Sequence, residues 1–243
     1  MEKSACATDI GKIRTINEDS MLCMDSLNFY MLADGVGGHN SGEIASRLAV
    51  DLTREYILKH PLHDIQEADL FDHFNRCFQN VNGEIYRQST EEKKHQGMAT
   101  TAVMMFLRTG KAYIINIGDS RAYIHREGRL EKITEDHTYV NELLKGGYIS
   151  KAEADVHPKR NMITRALGSE KTVIPDFYQL DTIKGDKILL CTDGLYNEVD
   201  EKNINEIMNE KSDIVELVSD LIDLARDNGG KDNITINCVE IQK

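Results

Sequence analysis

Phe29-Tyr30-Met31-Leu32-Ala33-Asp34-Gly35-Val36-Gly37-Gly38-His39 is an apolar run that stops on a carboxylate and continues into glycines. Such a run reads as a buried strand whose last residue sets one acid at the rim of a sheet. The glycines let the backbone approach whatever that acid holds, and the Gly35 carbonyl becomes available as an oxygen ligand. Alone, Asp-Gly is also the commonest hairpin signal. Recurrence is what separates the two readings.

Lys187-Ile-Leu-Leu-Cys-Thr-Asp193-Gly194 repeats the pattern, and Ile114-Ile-Asn-Ile-Gly118-Asp119 ends a further apolar run on an acid. Gly230-Lys231-Asp232-Asn233 runs the other way, with the acid ahead of the alternating strand Ile234–Ile241. Four carboxylates at strand ends, far apart in sequence, are expected to converge on one sheet edge. Converging carboxylates repel unless cations sit between them. The pattern implies bound divalent metal.

With 243 residues the chain suits one large domain, and 40% hydrophobic residues supply a core. The net charge of −12 argues against nucleic acid and acidic membrane surfaces as partners. No apolar stretch approaches membrane length, so the expected location is the cytoplasm. The five cysteines are scattered and expected to be separate, reduced core thiols. The histidines lack zinc spacing apart from a weak His60-Pro-Leu-His63.

Along the chain, residues 4–8 and 20–26 read as strands joined by a polar loop carrying Arg14, Glu18 and Asp19. Arg14 suits bidentate grip of a phosphate, with the two acids facing a metal shell. Asn40-Ser41-Gly42-Glu43 fits a capping box ahead of a helix over about 43–58, with Ile44, Leu48 and Leu52 on its inner stripe. A second helix, about 68–92, places Leu70, Phe71, Phe74, Phe78, Val81 and Ile85 in the core. Residues 99–118 and 121–133 read as two hairpins. The stretch from Thr134 to Thr164 breaks up, with a short helix near 138–145 and a capped turn from Ser150, as lids and flaps do. Strands at 172–181 and 187–192 and helices at 200–209 and 213–227 follow, the last ending at Asn228-Gly229. Several strands follow one another without helices, so an alternating parallel α/β fold is excluded.

The ordered set Arg14…Asn17-Glu18-Asp19, Ala33-Asp34-Gly35-Val36-Gly37-Gly38-His39, Thr100-Thr101, Gly118-Asp119-Ser120-Arg121, Asp136-His137, Ile163-Thr164-Arg165-Ala166-Leu167-Gly168, Cys191-Thr192-Asp193-Gly194-Leu195 and Gly230-Lys231-Asp232-Asn233-Ile234-Thr235 resembles the metal-dependent Ser/Thr protein phosphatases (PPM, type 2C), in their compact bacterial branch. The resemblance spans the chain nearly end to end. It implies an α+β fold in which a central β-sandwich of two mainly antiparallel sheets is flanked by helix layers (αββα). It implies a single catalytic domain over 1–243 with a flap at about 144–162.

The resemblance further implies two Mn²⁺ or Mg²⁺ ions, or three. Asp34 would bridge two of them, with Gly35, Asp193 and Asp232 as further ligands, Glu18 and Asp19 holding metal-bound waters, and Asp119 with Asp193 at a third site. Arg14 matches the phosphate-binding arginine. Hard cations favour such oxygen donors, and a metal-bridging hydroxide would attack phosphorus in line without a covalent phosphoenzyme. Substrates would be phosphorylated proteins, with a bacterial Ser/Thr kinase and its targets as partners; the chain is expected to be a monomer.

Two departures stand out. Many members carry His where this chain has Val36, so His39 or a metal-bound water becomes the candidate acid for the leaving oxygen. Ala99 replaces the usual Gly before Thr-Thr, which bears on strand packing. Two other readings remain open: a catalytically dead member acting as a regulatory binding module, and a hydrolase of small phosphoesters. The first is opposed by the presence of Asp34, Asp193, Asp232 and Arg14. The second is separated by comparing rates on phosphopeptides and small phosphoesters.

Overall fold

A computed structural model describes residues 2–37, 41–91 and 93–242. In chain order the elements are β1 (Lys3–Asp9), β2 (Asp19–Met24), β3 (Phe29–Val36), α1 (Gly42–Lys59), α2 (Leu70–Glu91), β4 (Ala99–Thr100), β5 (Ala102–Arg108), β6 (Lys111–Ile117), β7 (Arg121–Arg126), β8 (Arg129–Lys132), α3 (Tyr139–Lys145), α4 (Lys151–Asp155), β9 (Asp176–Asp181), β10 (Lys187–Cys191), α5 (Asp193–Tyr196), α6 (Glu201–Glu210), α7 (Ile214–Asp227) and β11 (Ile234–Glu240). One sheet runs β1-β11-β10-β7-β8 and the other β2-β3-β5-β6-β9, with β4 pairing β3. All the strand pairs are antiparallel.

Three apolar clusters show the layering. Because successive strand side chains point to opposite faces, Tyr30 and Leu32 of β3 enter the layer between the sheets, with Val103, Ile114, Ile124, Leu190 and Val239. Phe29, Met31 and Ala33 of the same strand pack against α1 and α2 through Ala45, Ala49, Phe74 and Phe78. Leu189, Ile236 and Cys238 face α6 and α7. The sandwich is therefore helix, sheet, sheet, helix, as expected. Both faces of each central strand are buried, which is why β3, β5, β6 and β10 read as continuous apolar runs.

Several local expectations need correction. Of the capping box expected at 40–43, Asn40 lies outside the described residues; Ser41 is the N-cap of α1 without a side-chain capping bond, and its Oγ donates to the Lys94 carbonyl instead. The buried face of α1 is Ala45, Ala49, Val50, Thr53 and Ile57, and Ile44, Leu48 and Leu52 are only half-buried. Small residues let the helix sit close on β2 and β3. Phe71 is not core; at 43% exposed it meets Phe177 edge-on at the surface.

The strand expected at 172–181 begins at Asp176, and the one expected at 20–26 ends at Met24 in a short 3₁₀ turn. Cys77, Cys191 and Cys238 are buried free thiols, but Cys6 and Cys23 are joined, with Cα atoms 7.2 Å apart. They meet because β1 and β2 lie against each other across the two sheets. Ser150 does cap α4 as a complete capping box with Glu153.

Candidate metal centre

Asp34 lies opposite Asp19 in the β2–β3 register, so two acids share one sheet edge. The peptide around Asp34 is pinned by neighbouring threonines. Its N–H donates to Thr101 Oγ1 at 3.0 Å, and its carbonyl accepts Thr100 Oγ1 at 2.8 Å and the Thr101 N–H at 2.9 Å. Gly35 is obligatory here, since a Cβ would fall 2.1 Å from the Gly42 carbonyl oxygen. The same close approach brings the Gly42 N–H to the Glu18 carboxylate.

From the other sheet, Asp193 opens α5 after the N-cap Thr192, so it starts a helical turn where a strand end was expected. Its Oδ2 accepts from Asn197 Nδ2 at 3.0 Å. Asp232 precedes β11 and binds Arg14, whose Nη2 donates to Asp232 Oδ2 at 2.7 Å, while Nη1 lies 3.6 Å from Glu18 Oε2. Asp119, in the turn between β6 and β7, is 5% exposed, and its carbonyl accepts the Tyr196 hydroxyl at 2.9 Å.

Electrostatics show that these acids form one group. Burial is the first cause in each case, and like charge adds to it. Asp34 is pushed well above the usual carboxylate range, with Asp19, Asp193, Asp119 and Asp232 all contributing. Burial also pushes Asp19 up to about 8, Asp119 to about 7 and Asp193 to about 6, each within the field of further aspartates. Glu18 is likewise raised by burial, partly offset by Arg14. Among the described residues, no group of three or more acidic, histidine or cysteine side chains stands close enough together, as placed, to hold a metal ion. The acids instead form a set in mutual electrostatic reach, offset by Arg14 at Glu18 and Asp193, by Arg121 at Asp119 and by two threonine hydroxyls at Asp19.

That donor set fits hard divalent cations. It is all oxygen, anionic, and drawn from both sheets, and it lacks the thiolates or imidazoles that select softer metals. Buried carboxylates with raised pKa values mark an environment in which added positive charge is strongly favoured.

Residues that the quoted motifs carry without a stated role, together with Thr8, complete the site. Thr192 Oγ1 and Thr235 Oγ1 both donate to Asp19 Oδ2, at 2.8 and 2.6 Å. Behind Thr235 stands Thr8, which in turn accepts from Asn17 Nδ2. Asn233 holds the Arg14 loop at three points: its Nδ2 donates to the carbonyls of Ile10 and Ile16, and its Oδ1 accepts the Glu18 N–H. The only signal in the sequence was the placement of small hydroxyl and amide residues beside the acids.

The two departures noted above prove to be cross-strand partners, since Val36 pairs with Ala99. Val36 is 41% exposed and forms an apolar lip that cannot donate a proton. His39 lies outside the described residues. A cavity of about 780 Å³ opens beside Asp119, lined among others by Arg121, Asp136, Asn141, Lys151, Arg160 and Tyr196.

Comparison with known proteins bears on the family and the fold. The family model described as protein phosphatase 2C matches residues 14–235. The serine/threonine phosphatase stp of Listeria monocytogenes is 38% identical over 96% of this chain and 93% of its own. The Streptococcus agalactiae serine/threonine phosphatase structure superposes with a TM-score of 0.92 at 30% identity, covering 100% of both chains. The catalytic domain of the phosphatase PstP, solved in complex with two manganese ions, gives a TM-score of 0.86 at 32% identity over 100% of this chain and 99% of that one. The chain belongs to the protein phosphatase 2C family.

Proposed function

We propose that this chain hydrolyses phosphoserine and phosphothreonine in proteins, using Mn²⁺ or Mg²⁺ held by Asp34, the Gly35 carbonyl, Asp193 and Asp232. Glu18 and Asp19 orient the surrounding waters, and Asp119 with Asp193 takes a third ion. The observation that carries this assignment is the convergence of acids from distant segments around Asp34, each within the field of the others. The related PstP domain with two manganese ions supports the choice of metal. When bound, the ions supply Lewis acidity towards the phosphoryl group and a water of lowered pKa.

The remaining work falls to the chain itself. Arg14 is half-exposed and tied to Asp232 through Nη2, which leaves other guanidinium hydrogens for phosphate oxygens. Asp19, with two hydroxyls donated to Oδ2, keeps its other oxygen for an ordered water. Thr100 and Thr101 fix the peptide that carries Asp34. The Val36 lip leaves proton delivery to the leaving oxygen to His39 or to solvent.

His39→Ala tests that role: turnover of phosphothreonine should fall while an aryl phosphate, whose leaving oxygen needs no proton, keeps its rate. Equal effects on both would remove His39 from this step.

The same proposal covers the finer points. The chain acts as one catalytic domain over 1–243, with residues 144–162 as a flap beside the cavity. It works as a monomer in the cytoplasm. Its substrates are phosphorylated proteins, including the targets of a bacterial Ser/Thr kinase. No described helix is long and apolar enough to cross a membrane.

The assay is release of phosphate from phosphothreonine peptides with Mn²⁺ and its loss in EDTA. Activity that survives complete chelation would refute the metal mechanism. Rates on small phosphoesters that match those on peptides would favour the small-phosphoester reading.

A further inference from the structure

Two sequence motifs that the metal chemistry leaves without a role, Asp136-His137 and Ile163-Thr164-Arg165, meet directly behind Asp119. His137 is 2% exposed. Its Nδ1 accepts the Gly118 N–H at 3.0 Å, and its own N–H donates to the Gly118 carbonyl at 2.9 Å. Because Nδ1 accepts, the neutral ring carries its proton on Nε2, which lies 3.1 Å from Asp176 Oδ2 and donates to it. Asp176 also accepts from Arg165 Nη1 at 2.9 Å and from the Tyr178 hydroxyl at 3.2 Å. The Thr164 N–H closes the group by donating to the His137 carbonyl at 2.8 Å.

Gly118 needs such a clamp. It adopts φ +102°, and a Cβ there would lie 2.6 Å from Thr101, the residue whose hydroxyl receives the Asp34 N–H. No side chain of its own can therefore fix the peptide that precedes Asp119. On the far side, the Asp119 carbonyl is held by Tyr196, whose ring carries the Arg121 guanidinium at 3.4 Å. Arg121 in turn grips Asp136, the neighbour of His137. The segment 118–119 is thus held from both ends by residues that themselves touch no candidate ligand oxygen.

We infer that His137 is a positioning residue for a divalent cation at Asp119: its imidazole, oriented by Asp176 and Arg165, fixes the Gly118 peptide and so sets the direction of the Asp119 carboxylate. This rests on the proposed role of Asp119 as a ligand. Residues that orient a ligand without touching the metal are ordinarily worth roughly 10–100-fold in metal affinity. The loss should fall on the cation at Asp119 and spare the pair around Asp34, which is pinned by Thr100 and Thr101 instead.

The test is Mn²⁺ binding followed by electron paramagnetic resonance of the free ion, on wild type, Asp119→Asn, His137→Gln, His137→Asn and Asp176→Asn. Wild type should show two tight ions and a weaker one, and Asp119→Asn should lose the weaker. His137→Gln and Asp176→Asn should weaken that ion about 10–100-fold and keep the tight pair, whose retention also reports an intact fold. His137→Asn, which can place an acceptor oxygen near the Nδ1 position, should recover part of the loss.

Wild-type isotherms for both His137→Gln and Asp176→Asn, while Asp119→Asn loses the ion, would overturn the inference alone. A full set of ions in Asp119→Asn would overturn the ligand assignment first. Should His137→Gln lose the tight pair as well, Asp176→Asn decides: a selective loss supports the inference and none overturns it.

Discussion

Asp34 sits in the field of four other carboxylates, Asp19, Asp193, Asp119 and Asp232. Replacing it with Asn keeps the shape and its backbone bonds to Thr100 and Thr101 while removing one negative charge. Two effects of opposite sign follow. Without metal, relief of like-charge repulsion leaves the Asp34→Asn protein at least as stable as wild type. Turnover should fall about 10³-fold or more, because several kcal/mol of transition-state charge stabilisation depend on the ions assigned to Asp34 in the proposed function. Parallel melting curves in EDTA and assays in Mn²⁺ check both effects, and a variant that kept full turnover would displace Asp34 from the centre. Thr235→Val is milder. It removes one of the two hydroxyls on Asp19 Oδ2 and the link to Thr8, and since burial raises Asp19 to about 8 this is a bond to a largely neutral carboxyl near pH 7, worth about 0.5–1.5 kcal/mol. A fall in unfolding free energy within that range, measured by urea titration, is the expected result.

At the scale of elements, the β7–α6 contact gives the fold a pH dependence of its own. His125 on β7 is buried, and its Nε2 lies 3.2 Å from Asn209 Oδ1 on α6. Burial is the main cause that lowers its pKa and Lys187 adds to it, against the Asn209 bond and Asp186, which raise it. Its folded pKa thus lies below the unfolded value near 6.5. Between those two values the unfolded chain binds more protons, so stability is unaffected above about pH 6.5 and declines as pH falls through the window. His73 and His137 are lowered by burial too and share the effect. Asp19, Asp119 and Asp193, raised by burial, titrate across the same range with the opposite sign, so the histidine effect is read as a difference: in urea unfolding between pH 7.5 and 5.5, wild type should lose stability relative to His125→Gln as pH falls. A difference that does not change with pH would place the titrating groups elsewhere.

Elements were also where the sequence was most legible. Buried strands such as Tyr30–Ala33 and Ile188–Cys191 announce themselves as continuous apolar runs, and α7 shows its inner face at helical spacing. Phe71 misled because it sits in the first turn of α2, where an aromatic ring can cover a neighbour's edge without entering the core. The role of Ser41 was hidden because its partner, the Lys94 carbonyl, is supplied by a distant loop. Acids could be found from their position at strand ends. The hydroxyls and amides that orient them could not, because nothing in local pattern shows that Thr192 and Thr235 share one carboxylate oxygen.

For the whole molecule, the site lies where the two sheets meet. Asp19 and Asp34 belong to β2 and β3 of one sheet, and Asp193 and Asp232 flank β10 and β11 of the other. Cations gathered there tie the sheets together at one end, while the layer of Leu32, Ile114, Leu190 and Val239 already holds them along their length. Metal removal should therefore leave the fold intact but lower its melting temperature. An ion present at about 100 times its dissociation constant adds about 2.7 kcal/mol. At roughly 2–4 °C per kcal/mol for a chain of this size, Mn²⁺ should raise the midpoint by about 5–10 °C over EDTA. Asp34→Asn and Asp193→Asn should lose most of that gain, whereas a substitution outside the site, such as Val215→Ala on the exposed face of α7, should keep it. A shift of the same size in the Asp34 and Asp193 variants would mean that the stabilising ions bind elsewhere on this acidic surface, and the bridge between the sheets would have to be abandoned.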